Sequence, residues 1–381
     1  KDRLAVSVGW QRRVGENVQL FGWRDQSDGN GWNSSVSWSR NISSRLIHSV
    51  QARYNRNYNA TVPYFANGTD VAGLLGIAGT SRDPGNYGPP NLNFTNYGDL
   101  NDGNRLRRYV HTWNFSDGWT IVHKTHTMRA GFDFTRTQQN TLQDPNARGT
   151  LFFGGLATSA LDAAGLPVSK TGNDFADFLL GSVQQSTIRY GSPDSYLRQT
   201  TNGVFVQDEW RVRQNLTLNL GLRWDDWEPF TEKYGRMANL DLAPDLSAVQ
   251  VVTPGGTGQW MGTVPSGMVK ADRNNWSPRI GFAWRPFAKR RTIVRGGYSL
   301  FYDGSTYSRL PGQLVYQPPF ATSSTFNTST AAPLTLANPF EGPADTTILN
   351  SIAVDPNYKV PYAQTWSLSV QHELKGLVVE A

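Results

Sequence analysis

Cysteine is absent from the 381 residues. That excludes disulfides and thiolate metal sites within them. Long apolar runs are absent too. A membrane helix needs about 18 or more consecutive apolar residues, and no stretch approaches that. Aliphatic residues are scarce, since hydrophobic residues of all kinds reach only 38%, below the usual range of a globular chain. Histidine occurs five times. The sequence opens at Lys1 without a secretory leader pattern, so it reads as a piece of something longer.

Aromatics, by contrast, are abundant: 13 Trp, 15 Tyr and 18 Phe. Few aliphatics with many aromatic rings suit a barrel with a polar interior and an apolar outer band rimmed by aromatics. The net charge is +6, but the basic residues are scattered rather than gathered in one stripe. This pattern argues against a nucleic-acid surface and is compatible with phosphate-bearing lipid headgroups.

The clearest signal lies in Thr201–Trp227. From Leu216 one parity reads Leu216, Leu218, Leu220, Leu222, Trp224, and the other Thr217, Asn219, Gly221, Arg223, Asp225. Side chains alternate faces along a strand, so this segment has one apolar and one polar face. Upstream, Val204, Val206 and Trp210 oppose Phe205, Gln207 and Glu209, with Asp208 breaking the pattern. Arg211 to Asn215 reads as the connection of a hairpin.

The same alternation recurs. Leu4, Val6, Val8 and Trp10 share a face. Gln11–Gly15 then reads as a turn, Glu16–Trp23 as a strand and Arg24–Asn33 as a loop. Ser34–Arg40 and Arg45–Tyr54 form the next pair. A long loop over 55–105 follows, then an extended stretch Arg107–Ser116, and a turn over Asp117–Thr125. Met128, Ala130, Phe132 and Phe134 alternate with Arg129, Gly131, Asp133 and Thr135. Within the next long segment, Asp174–Leu180 reads as one short helical turn and Val183–Tyr190 as an extra strand. After a loop over 228–275, Ile280, Phe282 and Trp284 oppose Arg279, Ala283 and Arg285. A turn over Phe287–Arg291 leads to Val294, Tyr298, Leu300 and Tyr302 opposite Arg295, Gly297 and Ser299. A loop over 303–361 precedes Tyr362–Leu374. Lys375-Gly376 turns the chain into a last strand from Leu377.

Connections alternate short and long through about a dozen strands. Transmembrane barrels do this, with tight turns on the periplasmic side and long loops outside. Trp10, Trp23, Trp210, Trp224, Trp276, Trp284 and Trp366 fall near predicted strand ends, as interfacial tryptophans do. The fold class expected is all-β: an antiparallel, up-and-down transmembrane barrel. It is incomplete, with about 12 strands and long extracellular loops, and residues 1–381 form one partial barrel domain. The first and last strands are expected not to pair with each other.

Four segments carry a family likeness: FVQDEWRVRQNLTLNLGLRWD, NNWSPRIGFAWRP, TIVRGGYSLFYD and PYAQTWSLSVQHEL. In this order they resemble the barrel of TonB-dependent receptors, most of all the Oar-like outer-membrane receptors. The resemblance implies a barrel of roughly 22 strands filled by an N-terminal plug domain. It also implies residence in the bacterial outer membrane, among lipid and lipopolysaccharide. The family imports scarce, bulky ligands, such as a siderophore, an oligosaccharide or a peptide, with energy delivered by TonB. On this reading the plug and the C-terminal strands lie outside these residues, and TonB would act through that plug. The alternative is a secreted or surface-exposed β-rich adhesion protein that transports nothing.

No catalytic constellation and no cofactor motif is present. His123 and His126 sit at a short turn without a nearby acidic partner, which argues against a metal pair. Asp25–Asn30 and Asp99–Asn104 look faintly like calcium loops but keep neither the ligand spacing nor the closing glutamate. Turn chemistry accounts for them. Arg223, Arg279, Arg285 and Arg295 all fall on polar faces. In a water-filled lumen they need no partner. Their functional reading is contact with acidic plug residues or guidance of an anionic ligand.

Overall fold

The computed structural model describes residues 1–287, 292–342, 351–374 and 377–380. A single antiparallel sheet dominates it. Eleven strands follow one another in chain order: β1 (Asp2–Val18), β2 (Arg24–Ser43), β3 (Leu46–Val62), β4 (Leu106–His123), β5 (His126–Gln143), β6 (Asp194–Arg213), β7 (Leu216–Trp227), β8 (Asn275–Trp284), β9 (Thr292–Tyr302), β10 (Tyr362–Leu374) and β11 (Leu377–Glu380). A twelfth, Thr231–Glu232, pairs beside β6. Among the described residues β1 pairs only with β2, and β11 only with β10. The sheet is therefore an open wall with every neighbour next in sequence, the up-and-down topology expected.

Several expected boundaries move. Gln11–Gly15 is not a turn and Arg24–Asn33 is not a loop: β1 and β2 pair without interruption from Asp2–Arg40 to Val18–Arg24. Polar residues and glycines fill this outer half of both strands. They look loop-like by composition, but the backbone ladder holds them, and only 19–23 connects the two. Likewise β3 runs on to Val62, so the long loop starts at 63 rather than 55. Trp10 and Trp32, cross-strand partners, lie mid-strand. They mark the end of the apolar stretch, not the end of the strand.

Asp117-Gly118 also fails to turn the chain. β4 runs straight through it to His123, and only Lys124 and Thr125 connect it to β5. The Asp117 carboxylate accepts from Trp119 Nε1 (2.9 Å) and contacts His48 Nε2 (2.7 Å). With those partners it has no need of the backbone N–H groups that an Asx turn would offer it. Arg211 to Arg213 belong to β6, with a register shift between them, leaving Gln214-Asn215 as the whole turn. Part of the expected turn over 287–291, and Lys375-Gly376, lie outside the described residues.

The register settles which side chains share a face. Val204, Trp224 and Trp276 stand side by side across β6, β7 and β8, as do Leu220, Ile280, Tyr298 and Trp366 across β7 to β10. Most of these are exposed. The opposite face carries serine, glycine, threonine and arginine. Aromatic rings lie over glycines on both faces: a Cβ on Gly131 would strike the Phe205 ring, and one on Gly296 the Phe282 ring.

The long connections 63–105, 144–193, 228–274 and 303–361 all leave from one end of the wall, and they are folded. One apolar core gathers Met237, Val264, Met268, Tyr307, Leu314 and Val360. A second gathers Ala72, Leu151, Phe153, Val183, Ile188 and Phe340. A four-stranded sheet, of Ala321–Asn327, Gln185–Gly191, Thr150–Phe153 and Asn91–Phe94, stitches three of the connections together. The helical turn expected near 174 is present as Asp174–Leu179, capped by Asn173.

Candidate functional site

The polar face places the four arginines in two groups. Arg223 and Arg279 stand near the long-connection end. Phe205, Arg223 and Ser277 form one cross-strand row, and Gly203, Asp225 and Asn275 the next. Arg223 is held tightly. Its Nη1 donates to Asp133 at 3.0 Å, and its Nε donates to both oxygens of Asp225 at 2.9 Å. Gly203 leaves room for that fork, because a Cβ there would meet both Arg223 and Asp225. The charge of Arg223 is thus spent within the wall. Arg279 lies over the Phe301 ring at 4.9 Å and keeps an exposed guanidinium. Arg223, Asp225 and Arg279 line a cleft of about 280 Å³ with Thr135, Thr201 and Trp227.

Arg285 and Arg295 sit at the other end, near the short turns. The register puts Arg211, Thr217, Ala283, Arg295 and Ser369 in one row across five strands. Two small side chains separate the two guanidinium groups. Arg285 closes the row below, its backbone N–H donating to Asn215 O at 2.8 Å. The resulting basin, about 860 Å³, is lined by Arg211, Arg213, Arg285, Arg295, Glu209 and Gln214 among others. A basin lined by several arginines, with small residues between two of them in the row, suits an oxyanion.

The register groups Arg223 and Arg295 with the polar side chains of neighbouring strands. Arg211 and Arg213, which the sequence puts in a short connection, join the strand. The parity of Trp210 assigns Arg211 to the polar face once the strand is allowed to continue. The acid partners of Arg223 also share its parity pattern, but nothing local joins Asp133 to a residue ninety positions on.

His123 and His126 face each other across the β4–β5 turn. The expectation that no acid stands near them is corrected for His126, whose Nδ1 lies 2.6 Å from Asp208. That aspartate, the break in the β6 pattern, comes from a neighbouring strand. Among the described residues no group of three or more His, Cys, Asp or Glu side chains could hold a metal ion. Asp25 is a strand residue whose carboxylate accepts from Gln19 Nε2 and from the Tyr64 N–H. Asp102 pairs with Arg148 at 3.2 Å.

Beyond the wall, the connections are pinned by buried carboxylates. Asp174 accepts from the N–H groups of Asn96 and Phe175. Burial pushes that carboxyl up, but these hydrogen bonds outweigh it and hold it below the usual carboxylate range. Asp144 pairs with Arg189 at 3.1 Å, and the Arg189 guanidinium stacks over Tyr316 at 4.4 Å. Burial raises the Asp102 and Asp144 carboxyls and lowers the Arg148 and Arg189 guanidiniums, with each partner pulling back the other way.

Residues 1–381 match the family model described as outer membrane beta barrel domain. A 135-residue stretch is 30% identical to the TonB-dependent transporter Oar of Myxococcus xanthus, covering 32% of this chain and 10% of that protein. The fold is similar to the outer membrane transporter YddB from Escherichia coli, with a TM-score of 0.47 and 11% identity over 98% of this chain and 36% of that one. It is likewise similar to the ferric-catecholate import receptor Fiu from E. coli K12, with a TM-score of 0.44 and 12% identity over 98% of this chain and 47% of that one. The chain thus spans well under two thirds of the length of each of these relatives. All three are transporters or receptors by name, and none is an enzyme.

Proposed function

The chain belongs to the outer membrane beta barrel domain family, and from that premise we propose that it is a wall segment of a TonB-dependent transporter, with its polar face turned to the lumen. Its place is the bacterial outer membrane. The apolar face meets lipid and lipopolysaccharide, the short turns point to the periplasm, and the folded connections stand outside. In the whole protein a plug domain would fill the lumen and pass on the pull of TonB.

The basin of Arg211, Arg213, Arg285 and Arg295 gives this reading its chemistry. It lies at the periplasmic mouth, where a plug would be gripped or released, and its occupant is an acidic group. Carboxylates on the plug surface are the first candidate. The second is an anionic group on the cargo, which makes acidic siderophores, oligosaccharides and peptides the cargo class. The observation that carries the reading is the row Arg211–Thr217–Ala283–Arg295, two cations across small residues on the polar face.

Orientation is tested with single cysteines, since these residues contain none of their own. In the full-length protein, Leu246→Cys should react with an impermeant maleimide on intact cells, because Leu246 is 76% exposed at the far end. Gln214→Cys should react only after the outer membrane is breached. Labelling of both in intact cells overturns the transporter orientation and favours a surface-exposed adhesion protein. Arg211→Glu with Arg295→Glu should loosen the plug, read as antibiotic leakage into cells. Unchanged permeability in a correctly inserted variant removes the basin from the function.

A further inference from the structure

All five histidines lie on the apolar face. Cross-strand pairing fixes this: Arg56 with His111, His48 with Trp119, His123 with His126, His126 with Trp210, and Thr292 with His372. His111 stands at the long-connection end. The other four stand beside the short turns. Chance placement would scatter them over both faces and both ends, and a lumen role would put them on the polar side.

Two of the four are built into fixed assemblies. His48 stacks on Trp119 with centroids 4.0 Å apart and meets the edge of Trp38 at 5.5 Å. Its Nε2 is tied to Asp117, which also accepts from Trp119. His126 stacks on Trp210 at 5.2 Å and is tied through Nδ1 to Asp208. A carboxylate accepts from the ring nitrogen it faces, so it fixes the ring and places the proton on that nitrogen. Nδ1 of His48 and Nε2 of His126 are then acceptors in the neutral ring, and the charged donors at this level come from the basic side chains.

Cations stand beside these rings along with the carboxylates. Arg40 is the cross-strand partner of His48; its Nε lies 3.7 Å from the exposed Asp2 carboxylate, which leaves the rest of its guanidinium to a further anion. Arg45 and Lys124 occupy the adjoining turns, where the Val122 N–H donates to Arg45 O. Higher on the same strands, toward the middle of the apolar face, lies a mostly apolar groove of about 350 Å³. Its lining includes Val36, Ala52, Trp113, Phe115 and Phe134. From Arg40 to Val36 is four residues along a strand, about 13 Å at the usual rise. Charged donors, a tryptophan level and an apolar groove thus follow one another along the wall. A phospholipid presents a phosphodiester, a glycerol ester and acyl chains in the same order.

We propose that the short-turn end of β2 to β6 is a phospholipid site of the periplasmic leaflet. The phosphodiester sits beside Arg40 over the fixed His48 ring, with Arg45 and Lys124 at the same level, and one acyl chain lies in the groove over Ala52. The proposal rests on the orientation given above, which puts the short turns in that leaflet. Charge is cheap there: a basic residue on a barrel's lipid face costs about 2–4 kcal/mol at midplane but only about 0–1 near the interface. The phosphate of a fixed lipid would also anchor the height of the wall in the membrane, opposite the basin on the inner face.

The test uses the full-length protein purified in mild detergent, with bound phospholipid counted by native mass spectrometry. The wild type should retain phospholipid. Arg40→Gln with His48→Gln should lower its occupancy at least tenfold. Ala52→Trp, which fills the groove and leaves every charge in place, should lower it similarly. His111→Gln, at the other end of the same face, should leave it unchanged. Adding back phosphatidylglycerol should restore binding to the wild type, and inorganic phosphate should not displace it. A wild type that retains no phospholipid, or variants that retain as much, overturns the proposal. So does loss of lipopolysaccharide instead of phospholipid, or displacement by free phosphate. Leu246→Cys and Gln214→Cys labelling is run in parallel. If that fails, the orientation is wrong; if it holds while phospholipid is unaffected, only the lipid site is wrong.

Discussion

In the wall, large apolar side chains are bare: Trp366 is 76% exposed and Leu368 70%. In the folded connections, Leu151, Phe153, Ile188 and Met237 are wholly buried. The two regions share a chain and differ in what covers their apolar surface. Each strand buries its backbone polar groups in the ladder and leaves the large side chains of its apolar face bare. The connections bury their side chains in each other, as a water-soluble domain does. Charge follows the same division. Buried ion pairs such as Asp102–Arg148 and Asp144–Arg189 occur in the connections.

The comparison breaks first in the connections. Phe153→Ala opens a cavity that packed neighbours cannot fill, at a cost of about 3–5 kcal/mol. Protease should then cut the connections on intact cells while the wall still migrates as a folded, heat-modifiable barrel. Leu222→Ala removes apolar surface that lipid covers, without making a cavity. It should cost less than the about 1.5–3 kcal/mol of fully burying a leucine, measured by urea unfolding in liposomes. Equal costs at the two sites would mean that the wall is packed like a core.

A smaller effect sharpens the two faces of β7. Leu220→Arg puts a cation on the lipid face and should cost about 2–4 kcal/mol. Asn219→Arg, one residue away on the lumen side, should be close to neutral. Folding yield into liposomes checks both, and matched yields would contradict the assignment of faces.

The smallest effect is on acid resistance of the connections. Asp174 has a lowered carboxyl in the folded state. Its contribution is complete above the unfolded value of about 3.9 and is lost as pH falls through the lower folded value. Asp102 and Asp144, raised by burial, act in the opposite sense: they favour folding most at low pH and less as pH rises through their folded values. The informative quantity is therefore the difference between wild type and Asp174→Asn. Protease resistance of the connections should diverge most above pH 4 and converge in stronger acid. A pH-independent difference would show that the N–H bonds to Asn96 and Phe175 do not stabilise the folded state.

Much of the wall was legible because a strand repeats its signal every second residue, as in Leu216 to Trp224. Legibility failed where local chemistry points one way and the ladder another. Asp117-Gly118 has the composition of a turn, yet His48, 69 positions earlier, gives its carboxylate a partner. Asp208 looked like a defect until His126 appeared beside it. The folded connections were illegible for a different reason. Phe153 and Phe340 share one core, but each connection supplies only a few residues to it, too few to show a period. Of the site, the alternation around Arg223 is local to one strand. The row that pairs Arg211 with Arg295 depends on register across four strands.

Those cores also tie the outer part into one unit. Ala72, Leu151 and Phe340 meet in one core, Met237, Tyr307 and Val360 in the other. Neither is complete without the connection over 303–361, which contributes to both. That one connection is the keystone of the outer part, so damage within it reaches both cores at once.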